Sequence, residues 1–251
     1  MRHELRFLNV GTSIELTDDL PDPTKVGLID QTVAWLRDVD RRFNPLLVDS
    51  EVNQLDRGEI TVADCSADLR EVMAMCAELW RESDGYFDAY ATGQLDPSGF
   101  ARGWALEVAS RFLLANGSAN HCLNAGGDIR ARGGPAPGLP WRIPIRHPGR
   151  SDKVTWMVTG TDLAVATSDV WSANKVLDPT SGKPASQLRS VTVVGADLGR
   201  VDGYATAAMA MGKAGLKFLA ELDVAGFASA AITADGRAIT SRQLPVANFV
   251  S

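Results

Sequence analysis

The 251 residues are 45% hydrophobic, enough to bury a full core as one large domain or two tightly joined halves. Acidic residues outnumber basic ones by 31 to 25, for a formal net charge of -6, and without a Lys/Arg-rich run the chain lacks the electrostatic footprint of a nucleic-acid binder. No window approaches the ~18 apolar residues of a membrane span, and the opening MRHELRFLNVGTSIEL holds no apolar core of signal-peptide length, so a cytoplasmic protein is expected.

In chain order, residues 5–17 read as a strand. From Val26 onward, Val26, Ile29, Val33, Leu36, Val39 and Phe43 recur at three- and four-residue steps, the spacing of a core-facing helix. The stretch FNPLLVDSEVNQLDRG is polar and Pro-marked and reads as a loop. A second helix carries Leu69, Val72, Met73, Cys76, Leu79 and Trp80 and stops near Ser83-Asp84-Gly85. A third runs from about Arg102 to Leu114, with Ala101, Ala105, Val108, Ala109 and Phe112 along one face; its small residues let it lie close to a neighbour.

Strand-like runs follow at HCLNA, WRIPIR, VTWMVT and SVTVVG. A fourth helix starts near Asp202, and residues 227–241 read as a hairpin around Asp235-Gly236, a dipeptide suited to a tight primed turn. Helices interleave irregularly with strands, which predicts an α+β fold with mixed or antiparallel sheets rather than a doubly wound parallel sheet.

The common catalytic motifs are absent. His3, His121 and His147 form no HExxH site, and Cys65, Cys76 and Cys122 make neither a CxxC pair nor a disulfide framework, so they read as buried small hydrophobes. No GxSxG elbow, P-loop or GxGxxG stands in the chain. A bound phosphate therefore needs another cradle.

Two segments offer one. In LDPSGFARGWALE, Asp96 precedes a Ser-Gly turn and a helix opening with Arg102 and Gly103; backbone N–H groups and a guanidinium would converge on an anion there. The same residues also suit an ordinary helix cap. In RVDGYATAAMAMG, Asp202 and Thr206 stand four apart, which places a carboxylate and a hydroxyl on one helix face, oxygen donors of the kind Mg²⁺ takes. Asp202 equally suits a cap at the helix start.

Taken in order, DGYFDAY (84–90), LDPSGFARGWALE (95–107), LNAGGDIRARG (123–133), VATSD (165–169), VLDPTSGKP (176–184) and VDGYATAAMAMG (201–212) resemble the motif series of the ApbE family of FAD:protein FMN transferases. VGTSIEL and FNPLLVDSEVNQLDRG extend the likeness to almost the whole chain. The resemblance implies one α+β domain over residues 1–251 that holds FAD and Mg²⁺ in a cleft. Its activity would move FMN from FAD onto a threonine of a target flavoprotein, releasing AMP; a flavin-binding protein without transfer, or hydrolysis of FAD to FMN and AMP, are the alternatives.

Carried over by position, Asp202, Thr206 and the Gly99 carbonyl would hold the metal. Val10, Tyr86, Phe87, Asp88, Asp96, Arg102 and Val176 would line the dinucleotide, with Asn124, Gly126, Gly127 and Asp128 forming a turn beside it. Phe87 equally suits plain core, and Gly126-Gly127 a plain tight turn. Lys175 and Asp202 would be the catalytic pair. Five positions depart from the family pattern: Arg102 stands for a lysine, Lys175 for a histidine, Val10 for a methionine, Leu46 for an aromatic and Asp169 for a glycine. Arginine can still clamp a pyrophosphate, whereas a lysine near its reference pKa of ~10.4 is a poor base at neutral pH.

Overall fold

A computed structural model of the protein describes residues 1–171 and 176–247. Lys175 lies outside these residues. The chain begins with a hairpin, β1 (Arg2–Phe7) and β2 (Val10–Leu16), rather than the single strand expected over 5–17. Leu8 and Asn9, at φ 44° and 67°, both sit in the left-handed region that reverses a two-residue hairpin. No glycine marks that turn, so the sequence pattern hides it.

Helix α1 (Asp22–Phe43) buries Ile29, Val33, Leu36, Val39 and Phe43 as its spacing predicts, but its buried stripe begins at Leu28 and Val26 is exposed. The stretch read as a loop contains α2 (Glu51–Asp56), whose start is fixed by Ser50 Oγ accepting the Asn53 N–H at 3.2 Å. One capped turn of helix is too short to show a periodicity. Helix α3 (Ala67–Glu82), capped by Ser66, buries Leu69, Val72, Cys76 and Leu79 and leaves Trp80 exposed. Cys65 and Cys76 are buried and Cys122 is half-buried rather than buried; all three are free. Burial pushes the Cys76 and Cys122 thiols up to about 12, so they are inert packing groups at neutral pH.

Helix α4 (Ser98–Ala115) starts four residues before Arg102. It is followed by β3 (His121–Ala125), β4 (Asp128–Arg132), β5 (Trp141–His147), β6 (Arg150–Gly160) and β7 (Asp162–Asp169). The short pair β8 (Leu177–Asp178) and β9 (Lys183–Pro184) precedes β10 (Leu188–Gly195), α5 (Leu198–Met211), α6 (Gly215–Val224), β11 (Ala228–Thr233) and β12 (Ala238–Thr240). The expected hairpin at 227–241 is β11–β12.

Eight strands form one sheet in the order β1-β2-β3-β4-β7-β10-β11-β12, antiparallel at every pairing. Because side chains alternate along a strand, β7 sends Ala164 and Ala166 to a core shared with α1, α3, α4, α5 and α6, and Leu163 and Val165 to a second core under the β5–β6 hairpin. Helices cover one face and the hairpin covers part of the other, an α+β arrangement.

The central helix pair is α4 and α5. A Cβ placed on Gly103 would stand 2.5 Å from the Leu198 carbonyl oxygen and 2.9 Å from Asp202 Cβ. Only glycine permits that approach, and it brings the start of α4 directly against the first turns of α5.

Candidate functional site

A cleft of about 490 Å³ opens at the end of the sheet, where the start of α4 meets the β1–β2 and β3–β4 turns, the end of β7 and the segment 86–92. Of the predicted residues, Val10, Tyr86, Phe87, Asp88, Asp96, Gly99, Arg102, Gly126, Asp128, Val176 and Thr206 line it. Phe87 also belongs to the core, so its ring packs inside while it lines the cleft.

The β3–β4 turn is built by Gly126 and Gly127 at φ 66° and 110°, between the paired residues Ala125 and Asp128. Asn124 Oδ1 accepts the Gly127 N–H at 3.0 Å and braces the turn. Asn124 and Gly127 face a neighbouring groove rather than the cleft. Val10 packs beneath Gly126, 3.3 Å from where its Cβ would be. Asp96 Oδ1 accepts the Ser98 N–H at 3.0 Å, so it serves the helix start and the cleft wall together.

The turn delivers Asp128 to the start of α4. Its Oδ2 accepts from Arg102 Nε at 2.6 Å, and its Oδ1 lies 3.4 Å from the Thr167 amide. Burial works against the charge on Arg102, yet Asp128 and Asp202 outweigh it and hold the guanidinium firmly protonated. The terminal amines of Arg102 make no hydrogen bond among the described residues, which leaves them as donors for an anion such as a phosphate.

Asp202 is not a cap. That place belongs to Asp197, whose side chain accepts the Arg200 N–H at 3.0 Å. Asp202 lies inside α5, 2% exposed, behind the cleft lining rather than on it. Its Oδ2 accepts the Gly103 N–H at 3.2 Å, a donor that a regular helix directs at the Gly99 carbonyl. Burial first, then the nearby Asp128, pushes the Asp202 carboxyl well above the usual range, with Arg102 and the Gly103 amide offsetting only part.

Asp128 is paired with the guanidinium, whereas Asp202 feels Arg102 only through space and has no ion pair among the described residues, so the site is short of positive charge. One turn further along α5, Thr206 reaches the cleft, its Oγ1 3.4 Å from Ser168 Oγ and within 3.3 Å of a Cβ built on Gly99. No cluster of three or more His, Cys, Asp or Glu side chains suited to a metal occurs among the described residues. A metal here would use the all-oxygen set of Asp202, Thr206 and the Gly99 carbonyl, completed by ligand phosphates and water. That set and the uncompensated carboxylate fit a hard divalent cation.

Several lining residues escaped the sequence reading. Arg6 and Asn9 reach the cleft through the unforeseen β1–β2 turn, where the Arg6 guanidinium donates to the Asn9 carbonyl at 2.9 Å. Thr167 and Ser168 also line it, beside Asp169, whose Oδ1 accepts the Trp171 N–H at 2.7 Å. Leu46 stands at the mouth, 73% exposed. Among the described residues, no helix is long and apolar enough to cross a membrane.

The fold has close counterparts. A Thermotoga maritima ApbE protein superposes with a TM-score of 0.84 at 20% identity, covering 96% of this chain and 97% of that one. The flavin transferase ApbE from Vibrio cholerae gives 0.82 at 20% identity, covering 97% of this chain and 98% of that one. Among curated proteins, the FAD:protein FMN transferase of Vibrio cholerae is 34% identical over 130 residues, 47% of this chain and 39% of that protein. The enzyme of that name from Salmonella typhimurium is 30% identical over 129 residues, 47% of this chain and 37% of its own length. The chain thus matches less than two fifths of the length of these relatives. The ApbE family model matches residues 90–228, more than half the chain, including Asp96, Arg102, the Gly126-Gly127 turn, Asp128 and Asp202: the chain belongs to the ApbE family.

Proposed function

We propose that this chain, as one domain over residues 1–251, binds FAD with Mg²⁺ in the cleft and transfers FMN to a threonine hydroxyl of a target flavoprotein. The observation that carries this reading is a pair of buried carboxylates at a glycine-containing helix start, Asp128 bound to the Arg102 guanidinium and Asp202 bound only to the Gly103 amide among the described residues. A divalent ion on Asp202, Thr206 and the Gly99 carbonyl would supply the positive charge the carboxylates lack, and a diphosphate would rest on that ion, on Arg102 and on the α4 amides. The relatives named FAD:protein FMN transferase support the same choice of substrate.

In the transfer, the threonine oxygen bonds to the FMN phosphorus, the bond from that phosphorus to the AMP oxygen breaks, and the hydroxyl proton leaves. Such chemistry depends on positioning and charge stabilisation. Arg102 holds the phosphates, Asp128 fixes its guanidinium, and Tyr86, Phe87, Asp88, Asp96, Val10 and Val176 shape the walls. Asn124, Gly126 and Gly127 hold the turn that presents Asp128. A divalent ion would supply charge neutralisation on the pyrophosphate. Lys175 stands where the family resemblance places a proton-accepting histidine, and it takes the threonine proton only as the neutral amine.

Incubation with FAD, Mg²⁺ and a threonine-bearing flavoprotein domain is expected to give covalent flavin on the acceptor, read by intact mass, with one AMP per flavin. FMN and AMP without labelled acceptor would point to hydrolysis instead, and intact bound FAD to a binding protein. Asp202→Asn is expected to lower Mg²⁺-dependent transfer by about a hundredfold or more while the far-ultraviolet circular dichroism stays that of the parent. Parent-level turnover in that variant would remove Asp202 from the metal site.

A further inference from the structure

On the hairpin-covered face of the sheet lies a second groove, of about 530 Å³, which shares Gly126, Thr167 and Asp169 with the cleft. Its floor is formed at Gly11, Ser13 and Gly127, and its flank by Pro144 and Arg146 of β5. From the shared rim on β7 and the β3–β4 turn it crosses the strands to Arg2, Glu4 and Leu5 of β1. At the far end Arg2 is already paired with Glu4, at 3.0 Å, whereas the exposed Arg146 has no ion-pair partner among the described residues.

The dimensions decide what fits. From β7 to β1 the groove crosses four strand spacings, ~19 Å. A volume of about 530 Å³ along that length gives a cross-section ~5 Å across, too narrow for the ~10–12 Å of a helix and suited to one extended chain. The floor carries two glycines and a serine, so an extended segment can lie close to the strands, and Arg146 offers donors to its carbonyl groups. Gly126, Thr167 and Asp169 line both the groove and the cleft, so their rim gives a second substrate an approach.

We propose that this groove seats the acceptor polypeptide in an extended conformation and passes its threonine over the Gly126, Thr167 and Asp169 rim to the phosphorus. The proposal rests on the transferase reading. It places acceptor recognition on β1, β2 and β5, on the far side of the Gly126-Gly127 turn from Arg102 and Asp128.

The test uses the full chain, FAD, Mg²⁺ and a threonine-bearing flavoprotein domain, with Ser13→Trp to fill the groove and Arg146→Ala to remove its free cation. Each variant is expected to raise KM for the acceptor about tenfold or more while Kd for FAD, measured by flavin fluorescence, stays that of the parent. If Ser13→Trp misfolds by circular dichroism, Arg146→Ala decides alone. An unchanged acceptor KM with an active parent overturns the groove and leaves the transferase reading standing. Weakened FAD binding in Arg146→Ala overturns it too, since that assigns the groove to FAD. A parent that labels no acceptor sinks the transferase reading and the groove together.

Discussion

His121 shows how burial turns a familiar chemical pair into a stability device. It is 0% exposed, with Nε2 2.7 Å from Ser110 Oγ and Nδ1 2.9 Å from the Ser118 carbonyl oxygen. Arg132 Nε donates to Ser110 Oγ at 3.0 Å, so the hydroxyl proton goes to Nε2 and Nδ1–H donates to Ser118. The ring is held neutral and sealed from any substrate, which makes the pair structural. Burial above all pulls the imidazole down to about 4. An unfolded histidine near ~6.5 takes its proton first, so stability is complete above that value and falls as the pH drops toward 4. Between pH 7.5 and 5 the loss from this residue is about 2 kcal/mol. Urea unfolding at the two values checks it: His121→Asn should flatten the slope, and an equal slope in parent and variant would refute the assignment.

At the scale of elements, function depends on how closely α4 meets α5. Ala at position 103 would press its Cβ on the Leu198 carbonyl and on Asp202 Cβ, at 2.5 and 2.9 Å, contacts that backbone movement alone can relieve. Gly103→Ala is expected to destabilise the protein by about 2 kcal/mol and to weaken FAD binding, because the shift separates Arg102 from Asp128 and Asp202. Gly27, in α1 with nothing within 4 Å of its Cβ position, is the control; Gly27→Ala should stabilise by about 0.5–1 kcal/mol. Thermal melts of both separate close packing from helix propensity. The same contrast explains what was legible beforehand. Helices α1 and α3 carry one apolar stripe each, and their spacing announced them. Helices α4 and α5 are buried nearly all round with small residues, so no stripe marked their starts. Strands β4 and β7 are short or lie inside motif segments, and α6 went unread although it buries only Gly215, Leu219 and Leu222. Within the site, motif order located the cleft walls, but the depth of Asp202 and the arrival of Arg6 and Asn9 depend on close packing and on a turn without glycine.

For the molecule as a whole, the cleft draws on segments from the first strands to Thr206 of α5, with helices, sheet and loops each supplying a wall. The sequence-distant parts are tied together from behind by an ion network whose centre, Glu107 with Arg130, is buried. Glu107 of α4 lies 2.7 Å from Arg130 of β4 and accepts the Leu198 N–H of α5 at 3.0 Å, while Arg130 reaches Asp162 of β7 at 2.5 Å. A ligand spanning the walls from the front binds only when all these parts are in place, so its binding energy adds to global stability rather than to one loop. At a free concentration of a hundred times Kd that addition is about 2.7 kcal/mol, which for a chain of this size raises Tm by about 5–10 °C. FAD with Mg²⁺ is expected to give this shift in a thermal melt, and omission of Mg²⁺ to remove much of it. Asp202→Asn should reproduce the metal-free result even with Mg²⁺ present. Saturating FAD and Mg²⁺ that leave Tm unmoved would mean that the cleft does not bind the dinucleotide.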